Sequence, residues 1–343
     1  MNLREIAERA GVSCATVSLV LNNKKGVGAA RRREITRLLL ENGYTIAEEG
    51  EERNRVRRSV RFLQYTRHAQ LVHGNPGFVP AIIDSVEQEC RLRKYDLLIA
   101  SVDRAQDIAR FLVPREVGGI LLLGTELDEQ EAPFLREAQV PLVVVDNAVA
   151  SMDCAAVTMN NRAAIFSAVE HLVLLGHQRI AFLANARPGA NCEERRLAFL
   201  EAAGQWNLQA RNVFPVAMGM DGARACVLDL FRRGTRFPSA VIANNDAIAV
   251  GAIRAFLEAG LSVPEDISVV GFDDIPFSGA FHPPLTTVSV PCREIGATAV
   301  RMLLERVRDP LQPPYKALLS TKLIVRESTR RFSPPREHPN LLQ

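Results

Sequence analysis

The spacing of apolar residues changes along this chain. Between Leu3 and Gly43 they recur at helical intervals: Leu3, Ile6, Ala7 and Ala10, then Val17, Val20 and Leu21, then Ile35, Leu38 and Leu39. One apolar stripe per segment predicts three short helices that share a small core. Gly11 breaks the first pattern. Ser13 offers a hydroxyl cap to a second helix over Ala15–Leu21, and the polar run Asn22–Gly26 makes a turn. A third helix, about Ala29–Asn42, ends at Gly43. The text then turns to Glu48, Glu49, Glu51 and Glu52 followed by Arg53, Arg55, Arg57 and Arg58, with almost nothing apolar. This predicts a solvated linker.

From Val60 the period changes again. Short apolar runs at Val60–Tyr65, Asp96–Ser101, Gly119–Leu123, Leu142–Asp146, Arg179–Ala184, Ala240–Asn244 and Ile267–Phe272 read as strands. Helical patterns fall between or after them at Val79–Arg93, Arg162–Leu175, Glu194–Ala203, Gly222–Arg232, Ala247–Ala259 and Arg293–Arg308. Strands alternating with helices predict doubly wound parallel sheets. So many units exceed one comfortable sheet, and the text becomes irregular near Asp146–Asn161, so two similar lobes are expected. Ligands of such sheets sit beyond the carboxyl ends of the strands, which places a cleft between the lobes.

Composition narrows the class. With 343 residues, 47% hydrophobic and 24% charged, the chain can bury a full core. Its charge is unevenly divided. Residues 1–68 carry 14 Lys/Arg against 8 Asp/Glu, a net of +6, and the remainder carry 28 against 31, a net of −3. A basic front on a mildly acidic body suggests a polyanion partner for the front alone. The longest apolar runs, such as Gly118–Gly124, are strand-sized, so no membrane span is expected. The opening Met1–Glu5 leads into charge, so a cytoplasmic chain without an export signal is expected. The six cysteines are scattered with no C-x-x-C pair, which argues for reduced thiols and no metal site. No cofactor is expected. No P-loop, no Rossmann glycine fingerprint and no G-x-S-x-G elbow occur, so an enzyme is the weakest reading. The Asp273–Asp274 pair ends a strand, where neighbours point to opposite sides.

The string A-E-R-A-G-V-S-C-A-T-V at Ala7–Val17 is a helix, a glycine turn and a hydroxyl-capped helix. A helix-turn-helix needs this shape to lay its second helix in the major groove, although a plain helical hairpin has it too. The longer string L-R-E-I-A-E-R-A-G-V-S-C-A-T-V-S-L-V-L-N-N, then K-K-G-V and R-R-R-E-I-T-R-L-L-L-E-N-G-Y, resembles the headpiece of the lactose-repressor (LacI/GalR-type) family. The likeness continues at Ala168–Phe182, Ala243–Ala252, Ile267–Asp274, Pro283–Val288 and Leu323–Thr329, in the family's order. It implies an all-α helix-turn-helix headpiece on a two-lobed, periplasmic-binding-protein-like α/β body. It also implies a homodimer acting as a transcription regulator, by default a repressor, whose partners are double-stranded operator DNA and a small polar effector, by default a carbohydrate.

The boundaries expected are 1–46 for the DNA-binding domain, 47–59 for the linker, 60–332 for the body and 333–343 for a tail. Within the body one lobe takes about 60–157 and 288–318, the other about 158–287 and 319–332. The resemblance puts Thr16, Ser18 and Asn22 where the family contacts phosphate or seats the second helix, and Cys14 and Ala15 where it reads base edges. Leu19 stands where many members carry an arginine, and a packing role suits it equally. Arg31, Arg32, Arg33 and Arg37 form a basic face that suits DNA. The family's Pro-Asn start and leucine-bearing hinge helix are absent after Tyr44, so that device is missing or replaced.

For the effector, the resemblance and the strand-end rule point to Asp273, Asn245, Asp146 and Arg195. Carboxylates, amides and an arginine fork suit a sugar's adjacent hydroxyls. The alternative for each is a loop cap or a surface polar residue. Phe78, in N-P-G-F, fits a ligand wall or the core. Asn160 is a weaker candidate, and Ala217 stands where members often carry a stacking ring. Trp206 and His177 read as structural. A solute-binding receptor for a transport system is the second reading, because the body alone would fit it.

Overall fold

The computed structural model describes residues 3–21, 26–42, 44, 58–67, 75–112, 117–128, 130–187 and 189–333. Asn22, nearly all of the linker read at 47–59 and the tail beyond Ser333 lie outside the described residues. The chain divides into two compact units, 1–59 with 115–118, and 60–114 with 119–343.

The first unit holds α1 (Leu3–Arg9), α2 (Cys14–Leu21) and α3 (Ala29–Glu41). Ile6, Ala7, Ala10, Val17, Val20, Ile35, Leu38 and Leu39 form its buried core, with Leu3, Val12, Leu21, Val27 and Tyr44 packed against it. These include every stripe residue read from the period. Gly11, at φ 61, takes the left-handed turn between α1 and α2 without the Cβ clash another residue would meet. Ser13 caps α2, its Oγ accepting from the Thr16 N–H at 3.2 Å.

The second unit contains two six-stranded sheets. Its elements in chain order are β1 (Ser59–Tyr65), α4 (Phe78–Leu92), β2 (Asp96–Val102), α5 (Ala105–Ile108), β3 (Gly119–Leu123), β4 (Leu142–Val145), β5 (Ala156–Met159), α6 (Asn161–Leu174), β6 (Arg179–Asn185), α7 (Ala190–Gln205), β7 (Ala210–Val216), α8 (Met220–Arg232), β8 (Ala240–Ala243), α9 (Asp246–Glu258), β9 (Ser268–Asp273), β10 (Thr286–Ser289), α10 (Cys292–Arg308), β11 (Lys316–Leu319) and β12 (Lys322–Ile324). The first sheet runs β11-β5-β4-β3-β1-β2 and the second β12-β10-β9-β8-β6-β7. The pairings are parallel along β1, β3, β4, β5 and β11 and along β7, β6, β8, β9 and β10, whereas β12 runs antiparallel to β10. Central strands such as β3, β4, β8 and β9 are buried throughout, which is why they read as unbroken apolar runs.

The chain passes between the sheets after β5, after β10 and after β11. The handovers expected at 157/158, 287/288 and 318/319 fall inside those three strands, and the passages lie one to a few residues later. None of the three was visible as a strand, since A-V-T-M, T-T-V-S and K-A-L-L mix polar residues into runs too short to show a pattern, unlike the equally short L-V-V-V and A-V-I-A. Helix α10 follows a strand of the second sheet but packs on the first lobe. There Gly296 lies so close to α4 that a Cβ would stand 2.7 Å from Ser85 Oγ. In the second lobe Gly251 of α9 plays the same part, since a Cβ there would fall 2.2 Å from the Met220 carbonyl. Among the described residues, no helix is long and apolar enough to cross a membrane.

Candidate functional site

In the first unit, Val17 and Val20 turn inward, so helical geometry leaves Cys14, Ala15 and Ser18 exposed on the opposite flank of α2. Thr16 is half-buried and its Oγ1 lies 2.9 Å from Ser13 Oγ, tying it to the start of the helix. Leu19 is also half-buried and leans toward the turn, with Cδ1 3.9 Å from where a Cβ on Gly26 would stand. Packing is therefore its visible role. On α3, Arg31 Nη1 donates to the Ala10 carbonyl at 3.4 Å and stands 3.6 Å from Glu34, while Arg37 lies 3.7 Å from Glu41. The basic face is thus partly offset by its own carboxylates.

In the body, Asp146 follows β4 and Asp273 ends β9, so each carboxylate stands at the carboxyl edge of a parallel sheet. Both have positive φ, 64 for Asp146 and 110 for Asp273, in backbone regions that L residues other than Asn and Asp seldom adopt. An asparagine from the opposite lobe holds each, and for Asp146 a threonine of its own lobe does too. Asn75, just before α4, donates Nδ2 to Asp273 Oδ2 at 2.5 Å. Asn191 of α7 donates Nδ2 to Asp146 Oδ1 at 2.8 Å and to its carbonyl at 2.9 Å, and Thr125 donates to Asp146 Oδ2 at 2.6 Å.

Arg195 lies one helical turn beyond Asn191 and is 5% exposed. Its Nε donates to Asn161 Oδ1 and its Nη1 to the Asn244 carbonyl, both at 2.8 Å, and its guanidinium lies 3.6 Å above the Phe272 ring. Its Nη2 is 3.7 Å from Asp273 Oδ1. Burial pushes the Asp273 carboxyl up to about 8, against the pull of Arg195 and with a further push from Asp246. Burial likewise raises Asp146 to about 6, opposed by Thr125 and Arg195.

Asp146, Arg195, Asn245, Asp273 and Phe78 all line one cavity between the lobes. It measures about 40 Å³, room for a few waters, and the Asn75–Asp273 and Asn191–Asp146 bonds cross between the lobes at its wall. Asn245 combines two roles: its Oδ1 caps α9 by accepting from the Ile248 N–H at 2.9 Å, and it also lines the cavity. Asn160 is not brought there. It caps α6 through the Ala163 N–H at 3.0 Å, and its neighbour Asn161 enters the polar network instead, donating to Asn191 Oδ1 at 2.8 Å. Ala217 is likewise away from the wall, packed at Gly222, while Met218 lines the cavity. His177 pairs with Ser239 at 2.8 Å and the Arg330 carbonyl at 3.1 Å, outside the cavity lining.

Sequence reasoning missed Asn75, Thr125, Asn191, Cys192, Met218 and Asn244, which with Gly189 complete the wall. Asn191 had a usable signal, since it precedes Arg195 by four residues and so shares its helix face. Asp246, also missed, lies behind the wall. It accepts from Thr287 Oγ1 at 2.5 Å, Ser278 Oγ at 2.6 Å and the Ile275 N–H at 3.1 Å, which fixes the turn after β9. Asp274 turns the other way, to Arg326 at 2.7 Å. Among the described residues, no group of three or more His, Cys, Asp or Glu side chains is placed to hold a metal ion.

Residues 2–46 match the family model for bacterial regulatory proteins of the lacI family, and residues 169–329 match the periplasmic binding protein-like domain. The HTH-type transcriptional regulator MalR of Streptomyces coelicolor is 34% identical over 342 residues, 95% of this chain and 96% of its own length. The lac repressor dimer bound to operator and the anti-inducer ONPF superposes with a TM-score of 0.73 at 26% identity, over 96% of this chain and 99% of that one. A complex of the transcriptional regulator CelR with cellobiose gives a TM-score of 0.71 at 27% identity over the same shares.

Proposed function

The chain belongs to the lacI family of bacterial regulatory proteins and is a helix-turn-helix transcription regulator, and we propose that a small polar effector seated between its lobes governs its hold on operator DNA. The observation that carries the effector reading is the pair of polar links across the cleft, Asn75 to Asp273 and Asn191 to Asp146. Side chains at strand ends there meet across the cleft but satisfy one another only in part. A polyhydroxy molecule offers donors and acceptors for the same groups, so its binding replaces those links and completes the network. The effector class we favour is a sugar. It matches the carboxylates and amides of the wall, and CelR carries cellobiose on a similar body.

In this reading Asp273, Asp146, Arg195 and Asn245 meet the ligand directly or through the residues they hold, and Phe78 supplies an apolar wall. Asn160 drops out as a helix cap. On the head, Cys14, Ala15 and Ser18 face DNA and Thr16 seats the helix. The protein works as a cytoplasmic homodimer that lays two recognition helices on adjacent major-groove half-sites, as its operator-bound relative is a dimer. The effector acts only through its different affinity for the two arrangements of that dimer, repression being the resting outcome. Neither catalysis nor a cofactor is part of the mechanism.

A salt-dependent mobility shift of the full chain on DNA from upstream of its own gene tests the proposal. Binding that weakens steeply with salt is expected, followed by release or tightening when the effector is added. The transport-receptor reading predicts no shift at any salt. A protein that stays a single subunit and ignores every promoter fragment at low ionic strength would end the regulator mechanism proposed here.

A further inference from the structure

We infer that the cleft selects an uncharged, hydroxyl-rich ligand and rejects the phosphorylated form of the same molecule. This rests on reading the cleft as the effector site. Among the described residues, the cavity wall holds three buried side-chain atoms with no hydrogen-bond partner: Asn75 Oδ1, Asn244 Oδ1 and Asp273 Oδ1. The two amide oxygens are acceptors. The Asp273 oxygen, whose partner oxygen already accepts from Asn75, is the one left for the proton that burial holds on that carboxyl. A hydroxyl, which both donates and accepts, suits all three. The Asn75 amide nitrogen faces a carboxylate, so its oxygen is the atom left over. The Asn244 nitrogen is turned to Cys192 Sγ at 3.2 Å, which leaves its oxygen in the same position. Asp273 Oδ1 is 3.7 Å from Arg195 Nη2, beyond hydrogen-bond reach. A buried acceptor without a donor is unfavourable, so the wall is complemented by a molecule that brings several hydrogens. Hydroxyl groups do this. A phosphate dianion brings only acceptors and charge.

The wall also lacks a cation to spare. Among the described residues that line the cavity, Arg195 is the cationic side chain, and its Nε and Nη1 are committed to Asn161 and the Asn244 carbonyl while its plane is stacked on Phe272. The N-terminus of α7 opens at the cavity through Gly189, Asn191 and Cys192, and by itself would favour an anion. Its partial charge, roughly half an elementary charge, is opposed by the Asp146 carboxylate in the same wall. With Asp273 raised to about 8 by burial, the lining at neutral pH sets Asp146 against Arg195, and only that partial charge remains. A phosphate dianion entering this cavity would be desolvated without a full counter-charge of its own.

Isothermal titration of the full-length protein with matched pairs tests the rule: glucose, ribose, maltose and cellobiose, each against its terminal phosphate ester, with inorganic phosphate alone as a further probe. At least one neutral sugar is expected to bind, its ester at least about 100-fold more weakly, and inorganic phosphate not at all. An ester that binds as tightly as its parent, or more tightly, overturns the selection rule and leaves the cleft assignment standing. If Asp273→Ala binds the neutral sugar with unchanged affinity, or if neither class binds a protein that still shifts its DNA, the cleft assignment fails and the rule falls with it.

Discussion

The outer flank of α2 and the wall of the inter-lobe cleft treat polar chemistry in opposite ways. On α2, Cys14, Ala15 and Ser18 are exposed, and the structure around them serves only to hold the helix steady through Val17 and Val20. In the cleft, Asp146, Arg195 and Asp273 are at most 5% exposed, the two carboxyls bonded to asparagines of the facing lobe and Arg195 to Asn161 and the Asn244 carbonyl. A surface that meets a polyanion several ångströms wide must stay open and rigid. A site for a small molecule must desolvate it, and therefore buries its polar atoms, most of them paired and a few left for the ligand. Changes on the head should therefore act through folding or through uniform electrostatics, whereas changes in the cleft should act on response and on pH dependence.

The largest effect is expected from Leu39→Ala. Leu39 is fully buried in the small head core, and its truncation should cost about 2–5 kcal/mol, a large share of what so small a unit has. Mobility shift should show DNA binding lost, and calorimetry should show effector affinity unchanged. A parallel loss of effector binding would contradict the independence of the two regions. Next, Asp273→Ala should weaken effector binding by about 10- to 100-fold while leaving DNA affinity within about twofold, since loss of a buried hydrogen-bonding group costs about 1–3 kcal/mol. Normal induction of this variant would show that the carboxyl does not hold the ligand.

The cleft should also leave a mark on stability. Asp273 has its carboxyl raised from the usual 3.8 to about 8, and Asp146 and Asp246 are raised to about 6, in each case chiefly by burial. The folded body then holds more protons than the unfolded chain between about pH 4 and 8. Its stability must fall as pH rises through that window, with the contribution complete below about pH 4. Asp273→Asn should remove much of the slope between pH 6 and 8, a change on the order of a few kcal/mol, read as Tm against pH. A variant whose Tm tracks wild type across that range would mean that the acid is ionised throughout. The smallest effect is expected from Arg33→Ala, an exposed residue of α3. It should weaken binding to all DNA sequences alike and lower the salt slope by about 1. A change in base preference instead would place Arg33 at a base edge.

Much of the frame was legible in the period of the chain. The head stripes and the central strands could be read because burial on one helix face or on both sheet faces writes a recognisable pattern. Strand β7 was not legible, because A-R-N-V-F-P-V at a sheet edge mixes polar residues and a proline into the run. Strand β11 alternates exposed and half-buried residues at its edge, β12 is three residues long at another edge, and both were equally silent. In the site, Asp146, Asn245 and Asp273 could be named from their positions at strand ends. The choice between Asn160 and Asn161 could not, since one residue at a helix start is the difference between capping the helix and reaching Arg195.

Sequence alone determined which faces are apolar, which segments are helical, and which polar residues crown the central strands, because these follow from local period and local hydrogen-bonding demand. Only the tertiary structure decided which polar atoms share a wall. Asn75 meets Asp273 from 198 residues away, and Asn191 meets Asp146 from 45. Parallel sheet order and the passages between lobes bring such residues together, and no spacing along the chain encodes that meeting.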